Sequence, residues 1–150
     1  MLSQSFNVCV LTMASRLFPC GYDIASDAPD TLEKLTAHIA KTGRMCVWNG
    51  ASDTTIFGDN EVNFAFRAWH DFHHWKGQRS FTREGEQACA IAQQNDIRAI
   101  YGAGKQTDLF CLLVECEVMG QFEYFEKNGE FPTDQIGFAR EWLNERGVNL

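Results

Sequence analysis

The chain has 150 residues, of which 45% are hydrophobic, including 12 Phe and 4 Trp. This length and composition predict one ordinary domain with ample apolar material for a core, and they argue against a disordered chain. The formal net charge of −7 argues against non-specific nucleic-acid binding and against adhesion to an anionic membrane, since both need clustered Lys and Arg. A basic protein partner stays open.

Capping signals and hydrophobic periodicity predict a mainly helical fold. The distribution of apolar and polar residues is mixed over the first 25 residues and more clearly helical in the rest of the chain. We therefore expect one domain over 1–150, a mainly α bundle of about five helices. The five clearer helices run from the caps at 26–30 to Gly43 and over 61–75, 82–101, 109–127 and 133–146, and a further short helix is expected over about 4–17 in the mixed segment. A short strand or extended link is expected at 45–48 and a polar turn over 51–60.

The cysteines and the start of the chain predict a cytoplasmic location. There is no Cys-x-x-Cys pair, and several of the six cysteines lie in apolar helical stretches, so free thiols in a reducing compartment are expected. The start of the chain lacks the Lys or Arg that opens a secretory signal. No run approaches the ~20 apolar residues of a membrane span.

Three histidines lie close together near the end of the helix predicted over 61–75. In a projection at about 100° per residue, His73 falls on the core-facing stripe and His70 at its edge. His74 lies further round, and Asp71 points to the opposite side. Because residues three or four apart are neighbours on a helix, His70 can converge on one ligand with either of the other two histidines.

A glutamate on the next predicted helix, 82–101, faces the same core. Glu86 and Gln93 are seven residues apart on its buried stripe, where a carboxylate is costly unless it is paired or bound to a metal. The connection over 76–81 is short, so the two helices should pack as an antiparallel hairpin. Glu86 should then lie opposite the histidines.

Three chemical interpretations follow. His70, Glu86 and a second histidine can hold a divalent Zn, Fe or Mn ion with open positions for water or substrate; His73 is the favoured partner and His74 the substitute. Without metal, a His–Glu pair can act as a general acid/base couple, with Arg67 holding an anionic group. Alternatively the cluster is structural, with Arg67 pairing Glu86.

The helix predicted over 109–127 carries three glutamates that interrupt an apolar run. Glu123 shares the stripe of Leu109 and Cys116, so it is a candidate for a further metal ligand. The alternative is that the helix reaches the surface after Met119 and its glutamates are solvated.

The segment 62–71 and its continuation to 92 resemble a motif of phage and prophage-encoded proteins, which reads roughly F-R-A-x-H-D and then F-x-x-x-G-E. The resemblance implies a mobile-element origin and a shared site without naming a reaction, and Asp71 within it suggests local pairing with Arg67 at i, i+4. The residues that carry the resemblance are Phe66, Arg67, His70, Asp71, Phe81, Gly85 and Glu86.

Three hypotheses for the whole protein stay open. The first is a small enzyme, a metal-assisted hydrolase with its site between the two helices. The second is an acidic accessory protein that binds a basic host or phage protein, with the His/Glu cluster purely structural. The third is a helical module that forms a homodimer through surplus aromatics such as Trp48, Trp75 and Phe131. A pocket with His70 and Glu86 within reach of each other favours the enzyme.

Overall fold

A computed structural model describes residues 1–51 and 54–150, so two positions of the polar turn predicted over 51–60 lie outside the described residues. The fold is mainly helical, as the sequence predicts. In chain order the elements are α1 (Gln4–Leu17), β1 (Asp23–Ala25), α2 (Leu32–Thr42), β2 (Cys46–Trp48), α3 (Asn60–Gly77), α4 (Arg83–Tyr101), α5 (Lys105–Glu115), a π-helical turn (Cys116–Gly120), α6 (Gln121–Asn128) and α7 (Gln135–Asn144).

A two-stranded parallel sheet lies beside α3 in the described part of the chain. β1 pairs with β2, with Asp23 opposite Cys46 and Ala25 opposite Trp48. Parallel strands need a crossover connection, and α2 supplies it. The segment predicted as a strand or link is therefore a strand, and a small second core lies under the sheet, formed by Leu35, Met45, Val47 and Ala68.

The main core is built around α1, which forms over the residues predicted from the sequence, about 4–17. Phe6 of α1 is 1% exposed, and its ring centroid lies 6.0 Å from that of Phe57, 6.5 Å from Phe66 and 5.7 Å from Phe110. Aromatic side chains contribute large buried areas, so this cluster ties α1 to α3 and α5. The cluster therefore fixes one side of α3, the helix that carries the histidines.

The predicted antiparallel hairpin of α3 and α4 forms. α3 ends at Gly77, and the next residue, Gln78, has a left-handed backbone with φ of 49° and reverses the chain. The side chain of Thr82 caps α4 by accepting a hydrogen bond from the backbone N–H of Gly85. Because only five residues separate the two helices, the first turn of α4 lies beside the last turns of α3.

The helix predicted over 109–127 forms as α5, the π-turn and α6 in succession. Within the π-turn the backbone N–H of Gln121 donates to the carbonyl of Cys116, five residues back. Gly120 faces α7 closely, since a Cβ there would lie 2.9 Å from the indole nitrogen of Trp142. The wider turn shifts the side-chain register of the helix at this point.

Two further expectations concern the thiols and the membrane. The six cysteines all lie in the described part of the chain, and they are free thiols, as the sequence predicts. Across 1–51 and 54–150, no helix combines the length and the apolar character that crossing a bilayer requires.

Candidate functional site

Three side chains of the hairpin converge on one point. The carboxylate of Glu86 lies 2.8 Å from Nε2 of His70 and 3.4 Å from Nε2 of His74. The two Nε2 atoms are 3.0 Å apart. The three ligand atoms thus form a compact group that could hold a metal ion.

The far side of each imidazole is held by an oxygen atom. Nδ1 of His74 lies 2.9 Å from the backbone carbonyl of Arg79, and Nδ1 of His70 lies 2.9 Å from Oε1 of Gln93. An oxygen of this kind only accepts, so each Nδ1 carries the proton and donates it. In the neutral rings both Nε2 lone pairs therefore point at the carboxylate of Glu86.

Three acceptors facing one another need a cation among them. Burial disfavours charge on Glu86, but hydrogen bonds from both imidazoles outweigh it and lower the pKa of Glu86 to about 2. Burial also opposes protonation of His74, yet its bonds to Cys89 and Glu86 raise its pKa to about 9. The pKa of His70 is raised by the bond to Glu86 in spite of burial. In the absence of metal, a proton on His74 supplies positive charge beside the carboxylate of Glu86.

Aromatic rings and a glycine position this group. Phe66 stacks parallel to His70, with ring centroids 6.4 Å apart, and Phe81 stacks on His74 at 4.1 Å. A Cβ at Gly85 would lie 1.7 Å from the carbonyl oxygen of Ser80, so only glycine allows α4 to approach the connection this closely.

His73, the favoured second ligand in the sequence analysis, lies apart from the group. Its Nε2 is 2.7 Å from Asp96, which also accepts a hydrogen bond from the indole of Trp69 at 2.8 Å. His73 and His74 leave α3 on either side of His70, about 60° and about 40° away in projection. Both histidines contact α4, but His74 reaches Glu86 in its first turn, whereas His73 reaches Asp96 further along the same helix. The substitute histidine therefore joins His70, and it is completely buried.

The His73–Asp96 pair gives a prediction about acid stability. Although partial burial raises the pKa of Asp96, hydrogen bonds from His73 and Trp69 lower it overall. A lowered pKa in the folded state stabilises the fold above the unfolded-state value of about 3.9, and this contribution is lost as the pH falls below it. We expect Asp96→Asn to lower the free energy of unfolding by about 1 kcal/mol at pH 7, after allowing for partial solvent screening.

Urea unfolding at several pH values tests this. The difference between wild type and Asp96→Asn should shrink towards zero below about pH 4, as the wild-type carboxylate is protonated. Glu130→Gln, at an exposed loop position, serves as the control for a lost surface charge. A difference that is constant from pH 7 to pH 3 would contradict the expectation.

A cleft opens beside His70. Its volume is about 500 Å³, and it lies between α3, the π-turn and the loop after α6. Asp71, expected to face the opposite side of α3, instead lines this cleft and is half-buried. The other lining residues are Pro29, Trp48, Ala51, Thr55, Asn63, Phe66, Arg67, Glu117, Gln121, Phe131 and Gln135.

Among the described residues, Arg67 does not pair with Glu86, as the structural interpretation expected. Its Nη1 donates to the carbonyls of Trp48 and Gly50 at 2.7 and 2.6 Å, and its Nη2 donates to the carbonyl of Ala51 at 3.2 Å. These bonds, rather than an ion pair with Glu86, use the guanidinium. Arg67 therefore anchors the segment after β2 to α3 and shapes the cleft wall.

Glu117 is a cleft residue that the helical projection missed. It lies on the π-turn, where Nε2 of Gln121 donates to its Oε1 at 2.8 Å, and burial raises its pKa to about 7. Glu123, a candidate for a further metal ligand, is exposed and pairs with Arg83 at 3.2 Å. The alternative in which this end of the helix is solvated is correct for Glu123.

No protein-family model, curated protein or solved structure matches this chain. The resemblance to a phage-type family therefore stays a prediction. The motif residues nevertheless share one region of the fold: Glu86 and His70 contact each other, Phe66 and Phe81 stack on the imidazoles, and Gly85 permits the close approach of α4.

Proposed function

We propose that the protein is a hydrolase that uses a divalent metal ion held by His70, His74 and Glu86. The observation that carries the proposal is the orientation of the two imidazoles. Each Nδ1 donates to an oxygen, which leaves both Nε2 atoms facing the carboxylate. In protein metal sites, the ring nitrogen of a histidine that does not bind the metal usually donates a hydrogen bond to an oxygen in this way, which fixes the orientation of the ring.

The spacing of the three ligand atoms supports a metal. Two atoms bound at about 2.1 Å and separated by an angle of about 90–110° lie about 3.0–3.4 Å apart. The two Nε2 atoms are 3.0 Å apart, and Nε2 of His74 lies 3.4 Å from Oε1 of Glu86, both within this range. Nε2 of His70 lies 2.8 Å from the other oxygen, Oε2, which is slightly closer. Two imidazoles and one carboxylate suit Zn, Fe(II) or Mn, with coordination positions left for water and substrate.

The cleft supplies the other requirements of hydrolysis. A bound metal ion lowers the pKa of a coordinated water and polarises the bond to be cleaved. His70 and Asp71 both line the cleft, so a substrate held there would lie beside the proposed metal position. The water oxygen bonds to the electrophilic carbon or phosphorus, the bond to the leaving group breaks, and the proton passes to the leaving group. No oxidant or reductant is needed.

The cellular setting is also part of the proposal. Five of the six cysteines are buried free thiols, and the sixth, Cys20, is exposed and free. Thiols persist in a reducing compartment. We therefore expect the protein to act in a cytoplasm, that of the host cell if a phage encodes it.

Metal content tests the proposal. We expect wild-type protein to hold one Zn, Fe or Mn ion per chain, measured by elemental analysis after dialysis against each metal. His74→Ala should lose the metal, because removing one of three ligands weakens binding at least as much as the 10–100-fold loss seen for outer partners. His73→Ala removes an imidazole from the adjacent position outside the group, so it should retain the ion.

Equal metal content in the two alanine variants would refute the assigned ligands. Wild-type protein that holds no ion after reconstitution would refute the metal itself. The hydrogen bond of 2.8 Å between His70 and Glu86 would then favour a metal-free general acid/base couple at the same place.

A further inference from the structure

The cleft beside the metal-ligand group has two large aromatic side chains that the core does not use. Trp48 is 50% exposed and Phe131 is 54% exposed, although both are apolar. Both line the same cleft, and they are called the mouth aromatics below. Exposed apolar side chains grouped at one cavity are typical of a binding surface.

Two side chains that line the cleft, Asp71 and Glu117, carry carboxyl groups. Within 1–51 and 54–150 the carboxylate of Asp71 receives no hydrogen bond, and Glu117 receives one, from Gln121. The cation of the cleft, Arg67, is already engaged by three backbone carbonyls. A ligand that supplies donors and positive charge would satisfy both carboxyls.

A buried hydroxyl in the same wall is also without a partner. Thr55 is 4% exposed, and no described residue lies within hydrogen-bonding distance of its Oγ1. Buried polar groups in folded proteins nearly always have a partner. The wall of the cleft therefore contains one polar group that the described residues leave unsatisfied.

We propose that this cleft binds a small organic cation, with its ammonium or guanidinium group beside the carboxyls of Asp71 and Glu117 and its apolar part against the mouth aromatics. Carboxylates form charge-assisted hydrogen bonds with ammonium and guanidinium groups, and aromatic side chains offer large apolar surfaces for the rest of the ligand. A volume of about 500 Å³ suits a small molecule. The inference names the substrate class of the proposed hydrolase and rests on that proposal for its catalytic meaning, although binding can be measured without metal.

Three probes with one ring and different charges test the inference: benzylammonium, benzyl alcohol and benzoate. Binding is measured by the shift of the Trp48 indole N–H signal in NMR spectra at about pH 8, where the Glu117 carboxyl is mostly ionised and the amine is still a cation. We expect benzylammonium to bind about tenfold more tightly than the alcohol, which corresponds to one carboxylate–cation contact in a partly buried site. Benzoate should bind more weakly still.

Two variants locate the selectivity. Glu117→Gln keeps the shape and the bond from Gln121, so it should reduce the preference for the amine over the alcohol to about twofold or less. Glu141→Gln, on the exposed face of α7, should leave the preference unchanged. Trp48→Leu, whose signal loss assigns the indole, should weaken amine binding about fivefold, measured by calorimetry.

Equal binding of the amine and the alcohol would overturn the inference, because the cleft would then be only an apolar pocket. A preference for the amine that persists in Glu117→Gln would also overturn the inference. The titrations are run on metal-free and on zinc-loaded wild-type protein. If the protein binds the amine selectively but takes up no metal, only the proposed metal-dependent hydrolase is refuted. If it takes up zinc but does not prefer the amine, only the proposed cationic ligand is refuted.

Discussion

Gly85→Ala is expected to destabilise the protein by about 3 kcal/mol, since a Cβ at this position cannot be accommodated without moving backbone. The added carbon would lie 1.7 Å from the carbonyl oxygen of Ser80. Neither partner is a flexible side chain, so the connection between α3 and α4 must shift. For a chain of this length the melting temperature should fall by roughly 6–12 °C.

The same change should also impair the metal-ligand group. Glu86 follows Gly85 directly in the first turn of α4, and Phe81 in the connection stacks on His74. A shift of this turn moves the carboxylate away from the imidazoles, so zinc affinity should fall by at least about tenfold. Isothermal titration of the folded variant with zinc measures this.

Gly77→Ala is the matched control. Gly77 is the last residue of α3, and a Cβ there would meet only the guanidinium of Arg79, which can move aside. Its stability should stay within about 1 kcal/mol of wild type, because alanine also favours the helix. If Gly85→Ala and Gly77→Ala have the same melting temperature, the close approach at Gly85 is not what constrains the hairpin.

The hairpin and its facing glutamate could be predicted because their signals are local. The spacing of apolar residues defines a helix within a few turns, and a short polar connection forces two helices to lie antiparallel. Glu86 lies near the start of the second helix, so it had to lie near the end of the first. The contact of 2.8 Å with His70 follows from these short-range features.

The choice between His73 and His74 depends on long-range packing. Both flank His70 on α3, and a rotation of the helix by a fraction of a turn exchanges them. That rotation is fixed by elements distant in sequence, namely Phe6 of α1 on one side and the strand β2 on the other. The first 25 residues gave no clear pattern, so the projection had no reference for the true core direction.

Glu117 could not be predicted for a different reason. A helical projection assumes about 3.6 residues per turn, and the π-turn at Cys116–Gly120 breaks that register. After the break, an extrapolated stripe points to the wrong glutamate, Glu123. A tight contact between Gly120 and Trp142 accompanies the π-turn, and this contact comes from a helix that the local pattern does not include.

Glu86→Gln is expected to separate a metal site from a structural cluster. In metal-free protein the variant loses charge-assisted bonds to both imidazoles, which should cost about 2 kcal/mol of unfolding free energy. Zinc present at about one hundred times its dissociation constant should stabilise wild type by about 2.7 kcal/mol, or roughly 5–11 °C. The variant should show almost none of this zinc-dependent increase, because its amide is a poor ligand in place of the carboxylate.

Thermal melts with zinc and with chelator measure both effects on the same samples. Glu84→Gln is the control, because Glu84 is exposed and lies in the same first turn of α4. Glu84→Gln removes the same negative charge from the same end of α4 but makes no change at the imidazoles. The interaction of such a charge with the helix N-terminus contributes about 0.3–1 kcal/mol. If Glu86→Gln lowers the melting temperature equally in zinc and in chelator, the cluster is a structural tie between α3 and α4. A deficit that grows in zinc only for Glu86→Gln identifies the carboxylate as a metal ligand, since only bound metal links the stability of the fold to the zinc concentration.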